Sequence, residues 1–263
     1  MSRAIVITSG KGGVGKSSLA VCIGRELAGR GKRVALIDTD IGLNNLDVIM
    51  NVENRVVYDL SDVMRGKCRL SQALTKDKVQ ESLFLLTSKG YRNESIPTEF
   101  LKKTVNTLLS RFDYVFIDCP AGIDVGFHRA IALAKEAIVV TTPHVSAIKD
   151  ASSVIAILKS YSFTRIGYAL NRVRGDMVVS LTMAEAKDVT EALEVQPIAI
   201  IPENDGINTL SSVGCPLKEG SDGARAIKVM CDNIENGTNT VIDLTKRYKG
   251  LWGAVRRLIK NKI

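Results

Sequence analysis

Short, nearly continuous apolar runs alternate with helical patterns along most of this chain. The runs fall at residues 4–8, 34–38, 83–87, 114–118, 137–142, 166–171 and 198–201. Strands of this kind have no polar face, so they belong in a parallel sheet covered on both sides. Between them, residues 17–28, 97–110, 147–160, 182–193 and 224–234 carry apolar side chains at helical spacing. The alternation predicts an α/β fold: a single doubly wound, mostly parallel sheet with helices on both faces. No repeat, low-complexity linker or composition break interrupts residues 1–240. Asn236-Gly237-Thr238-Asn239 then marks a loop, and residues 241–263 read as a linker and a C-terminal amphipathic helix.

Composition changes this picture little, but the placement of charge changes it more. At 263 residues, with 45% hydrophobic and 24% charged positions, the chain reads as an ordinary globular protein. The five cysteines form no CxxC pair, which argues against a disulfide framework or a zinc site. The chain runs from Met1 straight into a strand, so no export signal is expected. Lys246, Arg247, Lys249, Arg256, Arg257, Lys260 and Lys262 lie in the last 18 residues without an acid among them. Setting these seven aside from totals of 36 basic and 28 acidic residues leaves 29 against 28, so the net charge of +8 is almost all in the tail. A nucleic-acid-binding body would carry its basic patch on the fold, so no specific nucleic acid is expected as a partner.

The first chemical motif is Gly10-Lys11-Gly12-Gly13-Val14-Gly15-Lys16-Ser17, followed by Ser18. It matches the phosphate-binding loop G-x-x-x-x-G-K-[ST], and it sits where that loop must, between a strand and a helix. Its glycines let backbone N–H groups approach phosphate oxygens, and the helix after the loop turns its positive end toward them. Lys16 is expected to neutralise the β- and γ-phosphates, and the Ser17 hydroxyl to ligate Mg²⁺. Lys11 is an extra lysine inside the loop; alone, it reads equally well as a solvated side chain. Ile37-Asp38-Thr39-Asp40 ends the second strand, and Phe116-Ile117-Asp118-Cys119-Pro120-Ala121-Gly122 ends another. Ligands of such sheets bind at the carboxyl ends of strands, which brings these acids to the phosphate loop. Asp118 is then expected beside the Mg²⁺, and the Gly122 N–H beside the γ-phosphate. No N-K-x-D guanine motif occurs, which favours ATP over GTP.

With these three motifs in this order, the chain resembles the deviant Walker A ATPases of the ParA/MinD type. Residues 8–16, Asp38-Thr39-Asp40-Ile41-Gly42-Leu43-Asn44-Asn45-Leu46-Asp47, Arg55-Val56-Val57-Tyr58-Asp59 and residues 72–78 look like the MinD branch, which positions bacterial cell division. The likeness spans essentially the whole length but lapses at residues 87–97. It implies that Lys11 reaches across an ATP-bound homodimer to the partner's phosphates, and that Asp40 orients the attacking water, with Asn45 in the same switch segment. It further implies that Asp38 supports the metal site, that Asn171 bonds adenine through its amide, and that Pro202 and Glu203 pack on the base. Asp150 is similar to an acid of the dimer interface. By the same resemblance, ATP hydrolysis is slow until a partner accelerates it. The implied partners are a MinC-like division inhibitor and a MinE-like or other topological regulator.

The tail speaks for the same reading. Tyr248, Leu251, Trp252, Val255, Leu258, Ile259 and Ile263 fall on one helical stripe, with Lys249, Arg256 and Lys260 on or near the opposite face. A basic amphipathic helix of this kind lies in the interface of an anionic membrane. That predicts a cytoplasmic protein held peripherally on the inner face of the cell membrane, with Leu251, Trp252, Val255, Leu258 and Ile259 in the lipid. Two other readings compete. A flagellar-number regulator similar to FlhG would carry a longer N-terminal extension before the loop. A ParA-type DNA-partitioning ATPase would carry its basic residues on the fold.

Overall fold

The computed structural model describes residues 2–40, 45–88, 96–204, 206–207, 210, 214, 216–250 and 253. The strands are β1 (Arg3–Thr8), β2 (Val34–Asp38), β3 (Thr75–Lys76), β4 (Leu83–Leu86), β5 (Tyr114–Asp118), β6 (Glu136–Thr141), β7 (Arg165–Val173) and β8 (Pro197–Pro202). They form one sheet in the order β3-β4-β2-β5-β1-β6-β7-β8. All neighbouring pairs are parallel except β3 on β4. The seven strands expected from the sequence are present; β3 is an additional edge strand of two residues, too short to show a pattern. Successive side chains divide between the two faces. Ile5, Ile7, Val34, Leu36, Tyr114 and Phe116 join one core. Val6, Ala35, Ile37, Val115 and Ile117 join the other. This two-sided burial explains the lack of polar alternation in the strands.

The helices are α1 (Lys16–Gly29), α2 (Leu46–Ile49), α3 (Leu60–Met64), α4 (Leu70–Ala73), α5 (Thr98–Leu109), α6 (Val125–Ile131), α7 (Val145–Lys159), α8 (Gly175–Val179), α9 (Ala186–Leu193) and α10 (Asp222–Asn236). The five that the periodicity predicts are found, but the one expected at 182–193 begins only at Ala186. Leu181, at φ 59°, closes α8 in the left-handed region, and the Thr182 N–H bonds back to the Met177 carbonyl at 2.9 Å. Helices α2, α3, α4, α6 and α8 escape sequence reading because one or two turns are too short to show a 3.6-residue period.

The strand order turns back at β1, so the loops after β1, β2 and β5 open into one crevice at the carboxyl edge of the sheet. Beyond α10, the chain is strapped to the body. Asn233 accepts from the Thr240 N–H at 3.0 Å and donates to the Ile198 carbonyl at 2.9 Å. Leu244 packs on the core, and Tyr248, read from the sequence as the first residue of the membrane stripe, is 7% exposed. Gly175 makes room for both, since a Cβ there would meet the Leu244 carbonyl and the Tyr248 ring. Leu251, Trp252, Val255, Leu258 and Ile259 lie outside the described residues, as do 89–95 within the segment where the family likeness lapses. Among the described residues, no helix is long and apolar enough to cross a membrane.

Candidate active site

The phosphate loop is shaped by two glycines in the left-handed region, Gly13 at φ 76° and Gly15 at φ 99°. Gly15 is also the N-cap of α1, and it has no side chain with which to close that end. Other helices do close theirs: Asp59 caps α3, Asp124 caps α6 and Ser221 caps α10. No N-cap side chain closes the first turn of α1, so the positive end of the helix dipole faces the loop. Two tight contacts hold the loop in place. A Cβ on Gly10 would come within 2.5 Å of the Asp150 backbone on α7. A Cβ on Gly15 would come within 2.5 Å of the Asn171 amide nitrogen, which donates to the Val14 carbonyl at 2.8 Å.

The two lysines of the loop have opposite surroundings. Lys16 is buried at the head of α1, where its charge acts on Asp40 and Asp118. Lys11 is exposed, on the rim. The Ser9 hydroxyl donates to the Lys11 carbonyl at 2.8 Å and shapes the loop there.

The acids come from adjacent strands. Asp38 and Asp118 stand opposite each other in the β2–β5 register, and Ile7, just before the loop, stands opposite Asp118 on β1. Both carboxyls are buried and pushed above the usual carboxylate range. For Asp38, burial acts first and the Asp118 charge second, opposed by backbone N–H groups of Asp40, Leu46 and Asn45. For Asp118, burial acts first, opposed by a hydrogen bond from the Ser17 hydroxyl and by the Lys16 charge. Asp40 is half-buried, and burial raises its carboxyl too, against the pull of Lys16.

One buried oxygen of Asp118, Oδ1, has no hydrogen-bond partner among the described residues. Together with the Ser17 hydroxyl on the same carboxylate, it fits a hard cation that prefers oxygen donors. Among the described residues, no three His, Cys, Asp or Glu side chains gather as a ligand set. Asp38 does something the sequence did not reveal. Its Oδ1 accepts the Asp40 N–H at 3.0 Å, and its Oδ2 accepts those of Asn45 and Leu46 at 3.2 and 3.4 Å. Its carboxylate therefore holds both ends of the segment that contains Asp40.

Thr39 and Ser88 are further positioning groups missed by motif reading. The Thr39 hydroxyl donates to the Asp118 carbonyl and the Ser88 hydroxyl to the Asp38 carbonyl, each at 2.7 Å. Gly122, at φ 91°, places its N–H 3.4 Å from the Ser9 carbonyl, at the mouth of the loop. Asn171 is buried at the end of β7, its amide turned to Val14. Pro202 ends β8 and is buried, whereas Glu203 is exposed, its N–H on the Val173 carbonyl at 3.0 Å. Cys119 is buried, with its thiol pushed up to about 12 by that burial, so it offers no reactive thiolate.

The chain is similar to known proteins over most of its length. The family model described as ParA, NUBPL iron-transfer P-loop NTPase, matches residues 1–235. The septum site-determining protein MinD of Synechocystis sp. is 43% identical over 261 residues, covering 98% of each chain. The MinC:MinD cell division protein complex of Aquifex aeolicus superposes at TM-score 0.85 with 38% identity, covering 92% of this chain and 98% of that one. The MinD of Pyrococcus horikoshii complexed with Mg-ADP superposes at TM-score 0.77 with 28% identity, covering 89% and 96%. The chain belongs to the MinD family of septum site-determining P-loop ATPases.

Proposed function

We propose that this ATPase is a switch whose output is location: it dimerises on ATP, attaches to the inner face of the cell membrane, and there positions division by recruiting an inhibitor. The observation that carries this reading is the pair of lysines in one loop, Lys16 buried on its own site and Lys11 exposed on the rim. An inward lysine suffices to neutralise phosphates, so an exposed one beside it is placed for the phosphates of a facing subunit. Lys16 and the α1 N–H groups bind the β- and γ-phosphates, the Gly122 N–H meets the γ-phosphate, and Asp40 orients the attacking water. Asn171, Pro202 and Glu203, at the ends of β7 and β8, lie on the side of the base. Ser17, with Asp118 behind it and Asp38 in support, would hold Mg²⁺, which supplies charge neutralisation for the phosphates.

The tail converts dimerisation into attachment. One short amphipathic helix binds lipid weakly, whereas two on one dimer gain effective concentration, about 10²-fold or more in avidity. Hydrolysis removes the γ-phosphate contacts, the dimer loosens, and each single tail releases. The partner expected on the membrane is a MinC-like inhibitor, since MinC forms a complex with the Aquifex relative. A MinE-like or other topological regulator would set turnover.

Sedimentation with anionic liposomes tests the switch. The full chain should pellet in ATP and stay in solution in ADP, and a chain ending at Lys249 should stay in solution in both. That end point keeps Leu244 and Tyr248 on the body, where a cut at Thr245 would strip Tyr248 away. Equal pelleting of the full chain in ADP would sink the proposal.

A further inference from the structure

Arg25 takes no part in the chemistry above, yet its side chain, 8% exposed, is fully engaged inside the body. It sits on α1, the helix that begins with Lys16 and Ser17. Its guanidinium grips Asp77 with two bonds, Nε to Oδ2 at 3.0 Å and Nη2 to Oδ1 at 2.9 Å. Asp77, with 0% side-chain exposure, needs that partner. Neutralising Asp77 would require nothing more. The remaining donors go to two other segments: Nη2 to the Met50 carbonyl at 3.4 Å and Nη1 to the Gly214 carbonyl at 3.1 Å.

Met50 is the C-cap of α2, the short helix whose N-terminal N–H groups hang on Asp38. Gly214, at φ 71°, lies against the same end of α2. A Cβ there would sit 2.8 Å from the Asn51 Cβ and 3.2 Å from the Ile49 carbonyl. So α2 is held at one end by the Asp38 carboxylate and at the other by Arg25, with the Gly214 backbone closing over it.

We propose that Arg25 is a positioning residue for hydrolysis: it fixes the far end of α2 to the helix that carries the phosphate loop, and so holds Asp40 in register with the bound phosphates. A four-residue helix has no stability of its own; Leu46, Ile49 and Met50 seat it in the core, and these two attachments fix its ends. Planar guanidinium geometry allows four bonds to three segments, which a lysine ammonium cannot reproduce. The inference rests on the role proposed for Asp40.

The test uses the full chain and its basal ATP turnover. Arg25→Met with Asp77→Leu replaces the buried pair by apolar side chains, so no charge is stranded. This double variant should melt cooperatively and bind ADP, with Kd and KM for ATP within about twofold of the parent, while kcat falls about fivefold or more, because small misplacements cost rate rather than binding. Arg25→Lys, which keeps the charge on Asp77, should show the same split in smaller measure and serves if the double variant fails to fold. Adding Asp40→Ala to the double variant should change residual turnover by less than about twofold beyond Asp40→Ala alone, as expected for residues acting through one group. Parental kcat in a folded Arg25 variant overturns the inference. Full turnover in Asp40→Ala alone overturns the reading of Asp40 instead.

Discussion

Asp40 is two residues past Asp38, and its backbone N–H on the Asp38 carboxylate fixes where its side chain starts. Replacing that side chain leaves the backbone bond and the glycines of the phosphate loop in place, and removes a carboxylate on which the Lys16 charge acts. Asp40→Ala should therefore keep nucleotide affinity within a few-fold, while turnover falls about 10²-fold, as for loss of a group that positions or activates a nucleophile. Phosphate release measured beside a fluorescent-nucleotide titration separates the two. Parental turnover would remove Asp40 from hydrolysis. Residues of this kind are legible in a sequence because each lies in a contiguous motif at a strand end. The contacts that hold the motifs are not legible, since Gly10 on Asp150 and Asn171 on Val14 join segments far apart in the chain. Asp38 shows the limit most clearly. The resemblance implied support of a metal site, and the structure adds a bracing role that no motif shows, since both its oxygens accept backbone N–H groups.

The elements carry the same division between what local pattern dictates and what packing decides. Strands buried on both faces are conspicuous because the two cores, on opposite sides of the sheet, demand apolar residues at every position. The longer helices are visible by period, while the start of α9 is not, because Leu181 and Thr182 fold back on α8. At this scale, Asn171 is the pin between β7 and the phosphate loop, through the Val14 carbonyl. Asn171→Ala leaves that acceptor without its donor in a buried place, at a cost of about 1–3 kcal/mol. For a chain of this size, each kcal/mol lowers Tm by about 2–4 °C. A fall of about 2–12 °C is expected in thermal denaturation without nucleotide, from that cost and slope together. ADP affinity should fall as well, because the loop loses its fixed shape. An unchanged Tm would mean that the amide does not brace the loop.

For the whole molecule, the proposed switch requires a site within one subunit to govern where the protein resides. Lys11 is exposed, so Lys11→Ala should bind ATP as a monomer yet fail to dimerise, and sedimentation velocity with a slowly hydrolysed analogue would show it. An ATP-dependent dimer of normal size in that variant would count against a lysine acting across the interface. In the proposed switch the tail is the second part. The strap from Asn233 to Tyr248 fixes the chain to the body, so the segment after Lys249 starts from an anchored point. Its apolar stripe is legible from periodicity alone, and Trp252 offers its largest side chain. Burial of such a side chain contributes roughly 1.5–3 kcal/mol. Each basic residue near an anionic surface contributes about 1 kcal/mol. Trp252→Glu loses the first and adds repulsion, twice over in a dimer, so binding to anionic liposomes in ATP should nearly vanish. Raised salt should weaken wild-type binding without abolishing it, because the apolar contribution is not screened. Lipid-free ATP turnover should stay within about twofold of the parent, since the substitution leaves the groups that act on the phosphates in place. If Trp252→Glu still pellets with anionic liposomes in ATP, attachment does not run through the tail, and the doubled helix is not what moves this protein to the membrane.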